Sequence, residues 1–271
     1  MKRTYRSLGM LLVAGAISLL QACQKDDQFS AEPDTVALKK AGFLNNPDRT
    51  FYSPTLPIGN GVARAWVTEN ISGEPVAVGI NLSETVLDNL PGEPAMFTFT
   101  LPKNKGENFY TLVGLDWNPH GHEPPHVYDL PHFDVHFYII PDEERLEIPF
   151  IAPPLLDKAP DPQYIPDLYM LTPGVVPQMG AHWVDVTSPE FSGGTFTRTF
   201  IWGSYDGELI FWEPMVTRDY LLTKPDEIIN LRQPAAYQKD GYYATQYCVS
   251  YSARPKQYTI ALLNLQYHEG K

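Results

Sequence analysis

From Val62 onward the apolar residues fall in short runs rich in β-branched and aromatic types, at Val62 to Thr68, Val76 to Leu82, Ala95 to Leu101, Phe109 to Trp117 and Phe133 to Ile140, with turn formers between them. Runs of this length and spacing are the pattern of antiparallel strands. Proline closes off the helical alternative, because 26 of the 271 residues are proline and each one inside a helix costs about 3 kcal/mol. Two hairpins are expected. Thr195 to Trp212 folds about Ser204-Tyr205-Asp206-Gly207, where Asp-Gly supplies positive φ, and Tyr242 to Ser252 returns through Ala253-Arg254-Pro255-Lys256 into Gln257 to Tyr267. Helix signals are few: Pro141 to Leu146 and Pro225 to Leu231 each begin with Pro and acidic residues. The fold expected is mainly β, an antiparallel β-sandwich or barrel-like domain over residues 47–271, with one or two short helices and a long Pro-rich loop. That loop, Ile148 to Gly180, carries Pro153-Pro154, Pro160, Pro162 and Pro166. Each ring deletes a ladder donor, so it is read as a surface excursion that covers a site, meets a neighbouring subunit or merely connects.

The N-terminus sets the compartment. Lys2, Arg3 and Arg6 precede an apolar run from Leu8 to Leu20 that ends in Leu20-Gln21-Ala22-Cys23. The run is short of the roughly 20 residues that span a bilayer, so residues 1–22 read as a signal peptide. The tetrapeptide resembles a bacterial lipobox, which makes Cys23 the lipidated first residue of the mature chain. Gln24-Lys25-Asp26-Asp27 resembles the short signal that displays some bacterial lipoproteins on the outer surface. Residues 23–46, polar and poor in aromatics, are the expected tether. The expected location is the cell envelope, anchored by lipid to the outer membrane. With Cys23 lipidated, Cys248 has no partner for an intramolecular disulfide, and its strand-like surroundings mark it as an inert buried thiol. Twenty Lys and Arg against 32 Asp and Glu leave a net charge of −12, which repels phosphate and excludes nucleic acid as a partner.

Five of the seven histidines, His120, His122, His126, His132 and His136, lie between positions 120 and 136 with Glu123, Asp129 and Asp134. Neutral imidazole is the commonest metal ligand and carboxylates complete such sites, so a zinc, manganese or iron centre is the first reading. On a strand His132, Asp134, His136 and Tyr138 share one face, while Phe133, Val135, Phe137 and Ile139 share the other. At about 3.3 Å per residue His132 and His136 stand ~13 Å apart, too far to share one ion with ~2.1 Å bonds unless the strand is distorted. Further ligands must come from elsewhere. Gly121-His122-Glu123-Pro124-Pro125 is a stiff loop, His182 follows the proline-rich excursion, and Glu213 closes the Thr195 to Trp212 hairpin. The expected metal ligands are His122, His132, His136, His182 and Glu213. Asp134 and Glu123 are the candidate catalytic groups, as general base or as orienters of the ligands. His120 and His126 are the weakest members, and His268 is read as solvated.

Familiar catalytic patterns do not occur. His-Phe-Asp-Val-His departs from the His-x-His of cupins and α-type carbonic anhydrases, and no Gly-x-Ser-x-Gly elbow, His-Glu-x-x-His helix or phosphate loop is present. Trp117-Asn118-Pro119, Gly121-His122-Glu123-Pro124, Tyr128-Asp129 and Pro131-His132-Phe133-Asp134-Val135-His136-Phe137-Tyr138 instead resemble the central signature of an exported bacterial family of unknown function, typified by a sigma-E-controlled Thermus protein. The likeness extends through Gly174 to Trp183, Ile201 to Gly207 and Phe211 to Met215, over residues 60 to 222. It implies a β-rich fold, export and a symmetric homo-oligomer, and it marks His122, His132, Asp134, His136, His182 and Glu213 as the site. The family carries no activity to transfer.

Three functions stay open. The first is a metal-binding envelope lipoprotein, extending to a metal-dependent hydrolase or lyase. The second is a non-catalytic binding or assembly domain whose histidines form a structural hydrogen-bond network. The third is a carbohydrate-binding surface lipoprotein that stacks a glycan, or another small molecule, on its Tyr and Trp residues.

Overall fold

The computed structural model describes residues 48–102 and 109–271. The leader, Cys23 and the tether lie outside the described residues. Within them the chain forms β1 (Arg49–Tyr52), β2 (Leu56–Ile58), β3 (Gly61–Glu69), β4 (Pro75–Ser83), β5 (Ala95–Thr100), β6 (Leu112–Asn118), β7 (His132–Tyr138) and α1 (Asp142–Leu146). It continues with β8 (Tyr169–Leu171), β9 (Ala181–Asp185), β10 (Arg198–Tyr205), β11 (Glu208–Thr217), α2 (Arg218–Leu222), β12 (Asp226–Asn230), β13 (Gly241–Ser252) and β14 (Gln257–His268). One antiparallel sheet runs β1-β3-β4-β14-β13-β12 with β2 on β3, and the other runs β5-β6-β7-β11-β10-β9-β8. Neither closes on itself, so the architecture is a sandwich and not a barrel.

Alternation builds the core. Ala63, Ala65, Val78, Ile80, Leu82, Ile260 and Leu262 from the first sheet meet Val113, Leu115, Phe133, Val135, Phe137, Trp202 and Trp212 from the second. These residues point inward because a strand turns successive side chains to opposite faces. The second sheet is also covered on its outer face, where His132, Asp134, His136 and Tyr138 of β7 are all buried. Two apolar clusters flank that polar row. Tyr138, Phe211, Ile210 and Leu112 pack with Ile148 and Val175 of the proline-rich excursion, and Tyr128, Phe196, Ile201, Val184 and Met215 pack at the other end. The excursion therefore covers part of the sheet that carries the histidines.

One expected helix is corrected. Pro225 to Leu231 contains no helix. Asp226–Asn230 is the edge strand β12, paired to β13, and the helical turn comes earlier as α2. Pro225 and its acidic neighbours imitate a helix start, but Ile228 and Ile229 are β-branched, and five residues give too few internal bonds to outweigh pairing along β13. The real start is Thr217, whose hydroxyl accepts from the Tyr220 amide at 3.2 Å. The real stop is Lys224, in the left-handed region at φ 56°.

Candidate functional site

β7 is the spine of the site. Its outward residues meet outward residues of β6 in register, Asp116 opposite Asp134, Asn118 opposite His132 and Gly114 opposite His136. On its other side β11 runs alongside, pairing Trp212 with Phe137 and Met215 with Asp134. The ladder is interrupted between those rows, where Pro214 has no N–H to give. Glu213 and His136 stand at that interruption. Farther across, His182 of β9 pairs with Gly203 of β10, and Gly203 pairs with Phe211 of β11. Because Gly203 lacks a side chain, His182 can reach toward Glu213 over an intervening strand, a span of two spacings or roughly 9.6 Å.

The side chains gather into two groups of three, His122–His132–Asp134 and His136–His182–Glu213. In the outer group His132 Nε2 lies 3.1 Å from Asp134 Oδ1 and His122 Nε2 lies 3.3 Å from Asp134 Oδ2. Each imidazole is oriented from behind: His122 Nδ1 is 2.7 Å from the Glu123 carbonyl and His132 Nδ1 is 2.6 Å from the Leu130 carbonyl. A carbonyl can only accept, so Nδ1 carries a proton in each ring and Nε2 is the atom turned to Asp134, as a donor when the ring is protonated and as a lone pair when it is neutral. Asn118 Nδ2 donates to Asp134 Oδ2 at 2.7 Å. In the inner group Glu213 straddles two rings, Oε1 3.6 Å from His136 Nε2 and Oε2 3.6 Å from His182 Nε2. Behind His136, Asp116 Oδ2 stands 3.0 Å from Nδ1.

Six buried polar atoms here have no hydrogen-bond partner: Asp116 Oδ2, His132 Nε2, Asp134 Oδ1, both ring nitrogens of His136 and Glu213 Oε2. Several are within 3.0–3.6 Å of an opposite group, yet the approach lacks hydrogen-bond geometry. Two ligands of one ion behave this way. With bonds of ~2.1 Å and angles between about 90° and 110°, donor atoms sit ~3.0–3.4 Å apart and some 35–45° off each other's lone-pair axis.

The charges are set by burial working against the pairing of imidazoles with carboxylates. Burial works against ionised Asp134, but the His132 and His122 rings overcome it and hold the carboxyl well below the usual carboxylate range. Burial also opposes protonated His122, yet its bond to Asp134 holds it up at about 9. His136 likewise sits at about 9 against burial, through Glu213 and Asp116. Burial, with His136 and His122 nearby, pushes His182 down to about 3, and burial drives Glu213 up. A cation at the outer group must displace the His122 proton. Its apparent affinity is therefore expected to rise about tenfold per pH unit from near pH 7 to about 9 and to level off above, as read by chelator competition across that range. In the ion-free protein the sign reverses. The raised His122 value stabilises the fold fully below 6.5, and that contribution is lost as pH rises through about 9.

The expected residues are therefore divided. His132 and His136, too far apart to share an ion, fall in different groups. Glu123 comes to the site through its carbonyl, its side chain being exposed and in neither group. His126 is 94% exposed against Asp129, and His120 is exposed. His268 stacks on Tyr237 at 4.3 Å, at the end of the other sheet. Asp116 and Asn118 were not anticipated. Their signal was present, since Gly114, Asp116 and Asn118 alternate with the core residues Val113, Leu115 and Trp117.

A family model described as TTHB210-like, hypothetical protein TTHB210, matches residues 72–117. No curated protein and no solved structure matches the chain. The matched stretch runs from the start of β4 through nearly all of β6 and includes Asp116; it ends where the Trp117-Asn118-Pro119 signature begins.

Proposed function

We propose that this chain is a divalent-metal protein of the bacterial cell envelope, with His122, His132 and Asp134 as its working centre. The observation that carries this is the orientation of the two imidazoles, each tied at Nδ1 to a backbone carbonyl with Nε2 turned to the same carboxylate. Two histidines and one carboxylate suit zinc, manganese or iron and leave coordination positions open. His122 has 38% of its side chain exposed, so a small molecule can approach. An ion held there lowers the pKa of bound water toward ~7, the chemistry of a metal-dependent hydrolase or lyase. Asp134 then serves as ligand, oriented by Asn118.

The hydrogen-bond-network reading requires satisfied polar atoms, and the 3.6 Å contacts of Glu213 with His136 and His182, too long for hydrogen bonds, count against it. The glycan reading requires exposed platforms, but Trp66, Trp117, Trp183, Trp202 and Trp212 are all buried, and among the described tyrosines Tyr267 alone is exposed. The deciding measurement is elemental analysis of protein purified without a histidine tag. We expect zinc, manganese or iron in stoichiometric amount, whereas none bound after each ion has been offered would overturn the reading.

The envelope location rests on residues 1–27. Among the described residues no helix is long and apolar enough to cross a membrane; the lipobox-like Leu20-Gln21-Ala22-Cys23 supports attachment through a lipid on Cys23. Expressed in a bacterial host, Cys23→Ala is expected to move the chain from the membrane fraction to the soluble one. Unchanged membrane yield and mobility would refute lipidation.

A further inference from the structure

We infer that the protein holds a second cation, separate from the first, in the inner group of His136, His182 and Glu213, where it acts as a structural clamp across the second sheet. This rests on the proposal that the protein binds metal, and it concerns residues that the working centre does not use. The two groups share no residue. Asp134 and His136 occupy consecutive same-face positions of β7, ~7 Å apart at the backbone. A two-metal centre with ions 3.5–4 Å apart is bridged by common ligands, and no carboxylate here belongs to both groups.

Distance separates an ion from a hydrogen-bond network. The two inner contacts are 3.6 Å each, beyond the 2.7–3.2 Å of an N–H···O bond and near the ~3.4 Å edge of a tetrahedron with 2.1 Å bonds. His136 Nε2 and Glu213 Oε2 are buried without a hydrogen-bond partner, an arrangement that is costly unless something else satisfies them. Because Glu213 turns one oxygen to each ring, the group offers four donor atoms, two nitrogens and two oxygens. With three ligand residues the group can hold an ion, and its imidazoles favour a zinc-like ion over magnesium or calcium. At the outer centre, by contrast, Asp134 Oδ2 is engaged by Asn118.

Burial and connectivity give the inner ion its role. Side-chain exposure is 1% at His136, 2% at Glu213 and 16% at His182, against 38% at His122. Phe211 packs 4.9 Å from His136 and 5.2 Å from His182, and Tyr138 stacks on His136 at 5.6 Å. Water reaches such an ion poorly. The ion also spans β7, β11 and β9 at the rows where the β7–β11 ladder is interrupted at Pro214, so it supplies a cross-strand tie where the backbone lacks one.

The test is metal content per chain during timed exposure to a chelator, using untagged protein loaded with zinc. Two equivalents are expected, one stripped within minutes and one released only when the chain unfolds. His122→Ala should lose the fast equivalent and keep the slow one. His182→Ala and the near-isosteric Glu213→Gln should lose the slow one and melt several degrees lower. The isosteric variant keeps the experiment decisive if His182→Ala does not fold. A single equivalent that is lost in His122→Ala but kept in both inner variants would overturn the second site and leave the proposed function standing. Absence of any metal from the parent protein would overturn both.

Discussion

His132→Ala is expected to lower the affinity of the outer centre for its cation by more than 100-fold. Substituting a residue that merely orients a ligand costs 10–100-fold, and here the ligand itself is removed. Its neighbours cannot compensate. His122 and Asp134 remain, but two donors with one on a partly exposed loop hold an ion loosely, and Thr217, across from position 132 on β11, offers a neutral hydroxyl. The side chain is fully buried between His122 and Phe196, at ring separations of 4.7 and 5.2 Å, so alanine also leaves a cavity worth about 2–4 kcal/mol. His132→Gln separates the two effects, since it fills the space without an imidazole. Chelator competition should show near-equal affinity losses in both variants, with the larger stability loss confined to alanine. Tight binding retained by His132→Gln would remove His132 from the ligand set.

Gly203→Ala is expected to cost about 3 kcal/mol of stability, the upper part of the usual range for overpacking a core, and to lower the melting temperature by roughly 6–12 °C. A Cβ at position 203 would fall 2.0 Å from Phe211 Cε1 and 2.1 Å from Phe211 Cζ. No rotamer change at position 203 relieves that, because a methyl has no torsion to adjust. The ring must move. Phe211 lies against His136, His182 and Tyr138, so displacing it also disturbs the inner group. Calorimetry of Gly203→Ala beside Gly203→Ala/Phe211→Leu provides the check. The smaller side chain should restore part of the loss, and equal melting temperatures for the two would place the strain elsewhere.

Much of this fold was legible because its strands are short runs of β-branched and aromatic residues set apart by turn formers. β3 and β4 follow from their short apolar runs and β7 from its alternation, and Asp206-Gly207 places the β10–β11 turn with its positive φ at both residues. The site was legible in its members more than in its grouping. That His132 and His136 cannot share an ion follows from strand rise alone. That His132 joins His122 while His136 joins His182 depends on the order β7-β11-β10-β9, which local spacing does not encode. The misplaced helix at Pro225 shows the same limit, since the partner that makes Asp226–Asn230 a strand lies about 20 residues away on β13.

The burial of the second sheet on both faces sets how the inner group exchanges with its surroundings. Amides of β7 and β11 should be among the slowest in the molecule to exchange with deuterium, because no fraying edge or solvated face gives them a low-energy opening. Residues His136 and Glu213 share that slow clock, and with it any proton or ion lodged between them. Departure from this position is then governed by how often the sheet opens, not by how strongly a competitor pulls from outside. The outer group, with His122 on the Gly121–Pro125 loop, keeps a faster clock of its own. Two sites on one strand can therefore report on two timescales: one follows the composition of the medium, and the other follows the unfolding history of the chain.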